Sequence, residues 1–246
     1  MPLISLPSGA KVELRGLLGK ESKLLSDREA MKSGLFMDKI LDACTVSVLD
    51  PGPYSFEKKM DWSNALVGDR FYALLQIRIL TFGDNFAFKL QCSQTGCRQR
   101  FPYEISLSKD LPVKLWTDED RALFAAGNLF SFVDSNGKKI TYKLPIGKDE
   151  VAAAKNTISF DGAFLQALQQ RIVSIEGEQV PRTYLENLPF SALFGLVESM
   201  DQHNCGVEDK IEIQCPYCDG LEDVQIPFAQ GFLSPPNSVL KKSRKA

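Results

Sequence analysis

Two cysteine pairs constrain this chain more than any other feature. Cys92-Ser93-Gln94-Thr95-Gly96-Cys97 and Cys215-Pro216-Tyr217-Cys218 are separated by 117 residues, and each sits inside a run of alternating residues. Phe86-Ala87-Phe88-Lys89-Leu90-Gln91 leads into the first pair, and Arg100-Phe101-Pro102-Tyr103-Glu104-Ile105 leads out of it. The second pair repeats the plan, with Lys210 to Gln214 before it and Asp223 to Phe228 after it. Period-two alternation on both sides of a short polar turn predicts a hairpin at each pair. Gly96 and Gly220 are expected to supply the unusual backbone angles of the two turns. Zinc takes four thiolates in a tetrahedron at about 2.3 Å, and two turns each offering two sulfurs satisfy that geometry. The pattern therefore predicts one structural Zn2+ held by Cys92, Cys97, Cys215 and Cys218, in a zinc-ribbon-like module built from both hairpins.

Three other uses of the four thiols compete with this one: local disulfides, redox dithiols and unrelated core residues. Disulfides suit secreted chains, whereas Met1 to Pro7 has neither a basic start nor a long apolar run, so a cytosolic origin and reduced thiols are expected. A redox Cys-x-x-Cys belongs at a strand-to-helix junction, and Cys215 and Cys218 lie between predicted strands. Cys44, in an apolar stretch, reads as a buried thiol. Cys205 precedes Gly206 at a predicted helix end. His203, the single histidine, is a conceivable substitute ligand, but a solvated histidine at a helix end is the simpler reading.

The chain has 246 residues, 44% hydrophobic and 24% charged, enough for one large domain or two small ones. No segment approaches the roughly 20 consecutive apolar residues of a membrane-spanning helix. Net charge is −2, and basic residues are dispersed except for Lys241-Lys242-Ser243-Arg244-Lys245, which argues against a broad nucleic-acid face.

Along the chain, Lys11 to Gly16 alternates like an edge strand. A charged helix begins near Lys20, and a second short helix covers Leu35 to Ala43. The Pro51-Gly52-Pro53 cluster interrupts regular structure. Asp69 to Leu80 is the most apolar helix, with Gly68-Asp69 as its expected N-cap and Gly83 as its stop. Its Arg70 and Arg78 demand partners. Thr117-Asp118-Glu119-Asp120 reads as a capping box, and Phe130 to Leu144 as a hairpin turning at Asn136-Gly137. Further helices carry Phe160, Phe164, Leu165, Leu168 and Ile172, then Leu193, Phe194, Val197 and Met200, around a turn at Glu176-Gly177. The expected fold class is α+β, a mainly helical body with short hairpins. Residues 1–234 are expected to form one interwoven domain, with the ribbon drawn from 86–105 and 210–228 around a helical insert, 106–209. A basic tail, 235–246, follows.

No catalytic residue is assigned. Gly16-Leu17-Leu18-Gly19-Lys20 lacks the spacing of a phosphate loop and its hydroxyl residue. The acidic groups Asp118-Glu119-Asp120 and Asp149-Glu150 stand at helix starts, where carboxylates meet the positive end of the dipole. A four-thiolate zinc keeps no open position for water.

The order of several features resembles a known family. These are Ile4-Ser5-Leu6-Pro7-Ser8-Gly9, Val12-Glu13-Leu14-Arg15, Gly19 to Leu25, Val67-Gly68-Asp69-Arg70, and Leu75 to Asp84. After the first cysteine pair come Lys143 to Glu150, Glu176-Gly177, Cys215-Pro216-Tyr217-Cys218 and Ile226-Pro227-Phe228. In this order they resemble the tail baseplate hub and hub-assembly proteins of T-even-like contractile-tailed bacteriophages, over nearly the whole chain. The first pair departs from a Cys-Pro-x-Cys form. The resemblance implies a non-enzymatic structural subunit of the virion's tail baseplate, with other hub, tube, spike or wedge proteins as partners. A hub-assembly chaperone absent from the mature virion is the first alternative. A zinc-ribbon nucleic-acid accessory factor is the second, opposed by Asp219, Glu222 and Asp223 at the second knuckle.

Overall fold

The computed structural model describes residues 1–56, 59–155, 163–178, 182–226 and 232–233. Pro235-Pro236, the basic run Lys241 to Lys245, Phe160, Pro227 and Phe228 lie outside the described residues.

The N-terminal third is a three-stranded antiparallel sheet with helices between its second and third strands. Strand β1 (Leu3–Ser5) turns through Pro7-Ser8-Gly9 into β2 (Lys11–Leu14), whose Val12 and Leu14 side chains are fully buried. Three short helices follow, α1 (Ser22–Leu25), α2 (Arg28–Lys32) and α3 (Phe36–Cys44), and the chain re-enters the sheet as β3 (Thr45–Asp50). Because β3 pairs with the free side of β2, the strand expected at an edge lies at the centre. The run from Thr45 was not legible as a strand because it follows α3 directly, with no turn residue between them.

Helix α4 (Val67–Phe82) is the spine of the molecule, and it packs against α3, α6, β2 and β10 (α6 and β10 defined below). It stops at Gly83, whose φ of +89° is open to glycine. Its start differs from the sequence reading. The N-cap is Leu66, without a side-chain cap, and Asp69 lies inside the first turn with its carboxylate in the core. There it accepts hydrogen bonds from the Ser8 backbone N–H (3.0 Å), the Ser8 hydroxyl and the Tyr54 hydroxyl (2.7 Å). Burial raises the Asp69 pKa, and the donors from Ser8 and Tyr54 oppose it. Tyr54 in turn accepts the Leu66 N–H at 3.2 Å, joining the β1–β2 turn, the Pro51–Tyr54 connection and the helix start.

The two arginines of α4 find partners in the interior, although the buried Nη2 of Arg70 has none among the described residues. Arg70 donates to Asp38, to Glu150 (2.7 Å) and to the Trp62 carbonyl (2.5 Å). Arg78 donates to the carbonyls of Phe232 (3.0 Å), Gly83 (2.8 Å) and Asn85 (3.3 Å).

Beyond α4 come the long hairpin β4 (Asn85–Gln91) and β5 (Arg100–Ser106), then β6 (Val113–Lys114) and α5 (Asp118–Ala125). The Thr117–Asp120 capping box of α5 is present in full. Strands β7 (Phe130–Val133) and β8 (Lys139–Tyr142) turn around Asp134, whose carboxylate accepts the Asn136 and Lys138 N–H groups at 2.8 and 2.9 Å. After α6 (Gly147–Lys155) and α7 (Ala163–Arg171), β9 (Ile172–Ile175) completes a sheet in the order β7-β8-β9. Ile172, read as a helical position, instead opens this strand. Its β-branched run Ile172-Val173-Ser174-Ile175 pairs with β8. Then follow α8 (Arg182–Glu186), α9 (Phe190–His203), β10 (Gly206–Val207), β11 (Lys210–Gln214) and β12 (Leu221–Gln225). The architecture is α+β, with small antiparallel sheets around a core whose buried side chains run from Leu6 to Leu233.

One backbone contact locks this core to the second hairpin. An ideal Cβ on Gly68 would lie 1.8 Å from the Cys205 carbonyl oxygen, so the first turn of α4 sits directly on the backbone entering β10. Gly68→Ala is expected to lower stability by at least about 1–3 kcal/mol through overpacking. Gly19→Ala, where a Cβ meets nothing within 4 Å, is expected to stay within about 0.5 kcal/mol of the parent. Equal urea midpoints for the two variants would show that the close approach carries no energy. Tyr54→Phe leaves both Asp69 and the Leu66 N–H short of a partner, and is expected to cost about 1–3 kcal/mol in the same measurement.

Candidate metal centre

Each cysteine pair sits where a hairpin turns. The β4–β5 ladder ends at Gln91 opposite Arg100, and the Cys92 N–H adds one more bond, to the Gln99 carbonyl at 2.9 Å. The β11–β12 ladder ends at Gln214 opposite Leu221, and the Cys215 N–H repeats that bond to Gly220 at 2.9 Å. The turns then close on themselves, with Cys97 N–H donating to Gln94 (2.9 Å) and Asp219 N–H to Cys215 (2.9 Å).

After its second cysteine each knuckle takes one left-handed residue, Arg98 (φ +49°) and Asp219 (φ +57°). The sequence reading had placed the unusual angles at Gly96 and Gly220, and neither glycine has a positive φ. The chain has to reverse immediately behind the second sulfur, so the residue next to it takes the strained angle whatever its type. Gly220 serves another purpose: a Cβ there would press on the Gln94 side chain of the opposite knuckle at 3.0 Å.

The two knuckles face each other. Cys92 Sγ lies 3.7 Å from Cys218 Sγ, Cys97 Sγ lies 3.9 Å from Cys215 Sγ, and all four sulfurs fall within 4.8 Å of one another. The edge of a tetrahedron with 2.3 Å metal–sulfur bonds is about 3.8 Å. A disulfide requires about 2.05 Å. The two hydrogen-bonded sulfur contacts both cross from one hairpin to the other, which is the arrangement of a shared ion and not of two local bridges. Among the described residues this is the one group of three or more Cys, His, Asp or Glu side chains whose ligand atoms converge.

Backbone donors surround the sulfurs. The N–H groups of Gln94 and Gly220, each two residues on, act to lower the pKa values of Cys92 and Cys218, although the Cys218 pKa is raised on balance by burial and by its contacts with Cys215 and Cys97. At Cys215 burial acts to raise the pKa, but the N–H groups of Tyr217 and Cys218 outweigh it and the pKa is lowered. Cys92 is pushed up, first by its hydrogen bond with Glu222 and then by burial. Glu222 also accepts the Ser93 N–H at 2.7 Å, tying one knuckle to the other. Sequence reasoning missed this role, having read Glu222 only as a charge unfavourable to nucleic acid. Its position directly opposite Ile213 in the second hairpin was the available signal. Beneath the sulfurs a small apolar floor joins Phe101 and Ile213 to the buried Cys92 and Cys215, and Tyr217 packs edge-on against Phe101. Cys218 alone of the four is exposed.

The remaining sites of interest lie elsewhere. Cys44 is buried, and burial pushes its thiol up to about 11. Cys205 is buried beneath α4, and burial raises its pKa also. His203 ends α9 and pairs with Asp120 at 2.7 Å, its ring tilted against that of Phe130, so it is half-buried and partnered where a solvated residue was expected. Asp118, Glu119 and Asp120 occupy the first turn of α5, and Asp149 and Glu150 that of α6. Asp149 caps by accepting the Ile146 N–H at 3.0 Å, and Glu150 is the partner of Arg70.

The chain is α+β, and its two remote hairpins bring four cysteines together in an arrangement compatible with a zinc-ribbon-like module, whose donor set would fit a zinc ion with all four positions filled by sulfur. The chain belongs to the family described as T4 bacteriophage base plate protein, whose family model matches residues 1–234. No curated protein and no solved structure matches it. Membership makes it a protein of the phage tail baseplate, with other tail proteins as its partners. Among the described residues no helix is long and apolar enough to cross a membrane.

Elemental analysis of the purified chain is expected to find about one zinc per chain, lost on Cys215→Ser and retained on Cys44→Ala. Acidification should release the ion, because thiolates must be deprotonated to bind it. A metal-free chain with four freely titrating thiols at these positions would refute the assignment.

Proposed function

We propose that this chain is a non-enzymatic structural subunit of the hub region of a contractile tail baseplate, clasped by one structural zinc on Cys92, Cys97, Cys215 and Cys218. The observation that carries this reading is the meeting of four sulfurs from two hairpins on the two sides of a long insert, in a chain of the baseplate family. Four thiolates leave no position for water, so the ion's role is mechanical. A clasp between Cys97 and Cys215 closes a segment of more than a hundred residues and removes the freedom of that loop from the unfolded chain, although the dependence on length is slow. Several acidic side chains among the described residues serve structure: Asp69 and Asp134 organise turns, Glu150 pairs with Arg70, and Asp120 caps a helix. In the baseplate the chain acts by position, presenting fixed surfaces to neighbouring tail proteins.

The exposed phenylalanines Phe164, Phe190 and Phe194 are suited to either permanent or transient contact, and so keep the hub-assembly chaperone as the second reading. Mass spectrometry of purified tails separates the two. The subunit reading predicts the chain in constant ratio to the other baseplate proteins. Presence in infected cells together with absence from finished tails would overturn it in favour of the chaperone. Tight nucleic-acid binding that weakens steeply with salt would contradict both.

A further inference from the structure

Cys218 differs from the other three sulfurs of the metal centre in one respect. It is exposed, whereas Cys92 and Cys215 are buried and Cys97 is half-buried. An oxidant arriving from solvent reaches Cys218 first, because cysteine oxidation follows thiolate character and exposure. The next step depends on which thiol stands beside it. The hydrogen-bonded sulfur contacts pair Cys218 with Cys92 at 3.7 Å and Cys97 with Cys215 at 3.9 Å. These two pairs use each sulfur once, and both join one hairpin to the other. The protein around them holds that pairing without help from an ion. Glu222 of β12 accepts the Ser93 N–H at 2.7 Å, so the residue after Cys92 is tied to the strand that follows Cys218. Phe101 of β5 and Ile213 of β11 share the apolar floor beneath the sulfurs. Closing either pair to a disulfide of about 2.05 Å needs an approach of less than about 2 Å.

We propose that Cys218 is an oxidative modification site, and that oxidation replaces the metal clasp by two disulfides running between the hairpins, Cys92 to Cys218 and Cys97 to Cys215. The inference rests on the metal reading of these four cysteines. With a peroxide as oxidant, each bond forms in two steps. The Cys218 thiolate attacks one peroxide oxygen; an S–O bond forms as the O–O bond breaks, and the departing hydroxide takes a proton to become water. The Cys92 thiolate then attacks the sulfur of the resulting sulfenic acid; an S–S bond forms, the S–O bond breaks, and a second hydroxide leaves as water. The two sulfurs have lost two electrons together, and one peroxide has become two waters. A second peroxide joins the other pair in the same way, beginning at Cys97, the less buried of the two. Sulfurs held in disulfides no longer ligate, so zinc is released. Disulfides persist on virion surfaces and are reduced in the cytosol. A tail protein closed by an ion in one setting and by sulfur–sulfur bonds in the other keeps its two hairpins joined in both.

Hydrogen peroxide added to the reduced, zinc-loaded full chain tests this. Remaining thiols are alkylated, the chain is digested without reduction and mapped by mass spectrometry, and a chromogenic chelator reads the metal. The expected result is loss of four of the six thiols, with Cys92 joined to Cys218, Cys97 joined to Cys215, and all of the zinc released. The buried Cys44 and Cys205 should stay free and alkylated once the digest exposes them. With limiting peroxide the Cys92 to Cys218 link should exceed the other. Main products linked within a hairpin, Cys92 to Cys97 or Cys215 to Cys218, would overturn the proposal. So would Cys218 carried on to sulfinic or sulfonic acid without disulfides, or four thiols that survive excess peroxide. The zinc content before oxidation keeps two failures apart. A chain that holds zinc and forms within-hairpin links sinks this inference alone, whereas a chain that never holds zinc sinks the clasp whatever its links.

Discussion

Four sulfur atoms carried by two hairpins more than a hundred positions apart come together only if everything between them is folded to bring the hairpins face to face. The two shortest cross-hairpin sulfur contacts, 3.7 and 3.9 Å, are therefore a statement about the whole intervening segment and not about two turns. The knuckles present their sulfurs through the same local device on each side: a ladder bond from the first cysteine, a closing bond across the turn, and one left-handed residue behind the second cysteine. Glu222 adds a direct link from one turn to the other. The proposed ion completes this frame, and it does so at the end of the molecule where the apolar floor is smallest, four buried residues against the much larger main core. A small cluster of that size is poorly supported by hydrophobic burial alone, which is where metal ligation contributes most.

The main core depends on α4, and α4 depends on polar groups held in the interior. Asp69 gathers the N-terminal turn and the Tyr54 connection, Arg70 joins α3 to α6 through Asp38 and Glu150, and Arg78 holds the last described residues of the chain. Leaving any of these groups without its partner is costly in a buried setting, so they specify one arrangement of the surrounding elements as much as they stabilise it. The glycine contact at Gly68 then sets the helix directly against the chain that leads into the second hairpin. The spine and the proposed clasp are thereby joined in one framework, which suits the structural role proposed for this baseplate protein.

Much of this was legible in the residues. Alternation around the cysteines, the Thr117–Asp120 box, the Asn136-Gly137 turn and the apolar run of α4 each carry a local signal strong enough to read without partners. The misses share a cause. The central place of β2 was hidden because β3 follows a helix with no break, and β9 because its short branched run abuts α7. Asp69 was taken for a cap because aspartate before an apolar run usually is one, whereas here its carboxylate is claimed by Ser8 and Tyr54, residues 61 and 15 positions away. Arg98 and Asp219 are left-handed because of where the sulfurs must point, which residue type does not reveal. Long-range geometry decided each of these positions, and a single sequence records long-range geometry only indirectly.

The most direct measurement of the central claim is zinc-edge X-ray absorption on the purified chain. The account predicts a single zinc environment of four sulfur scatterers at about 2.3 Å, with no nitrogen or oxygen neighbour in the inner sphere. A mixed shell containing nitrogen or oxygen, or no zinc with sulfur pairs at about 2.05 Å, would contradict it.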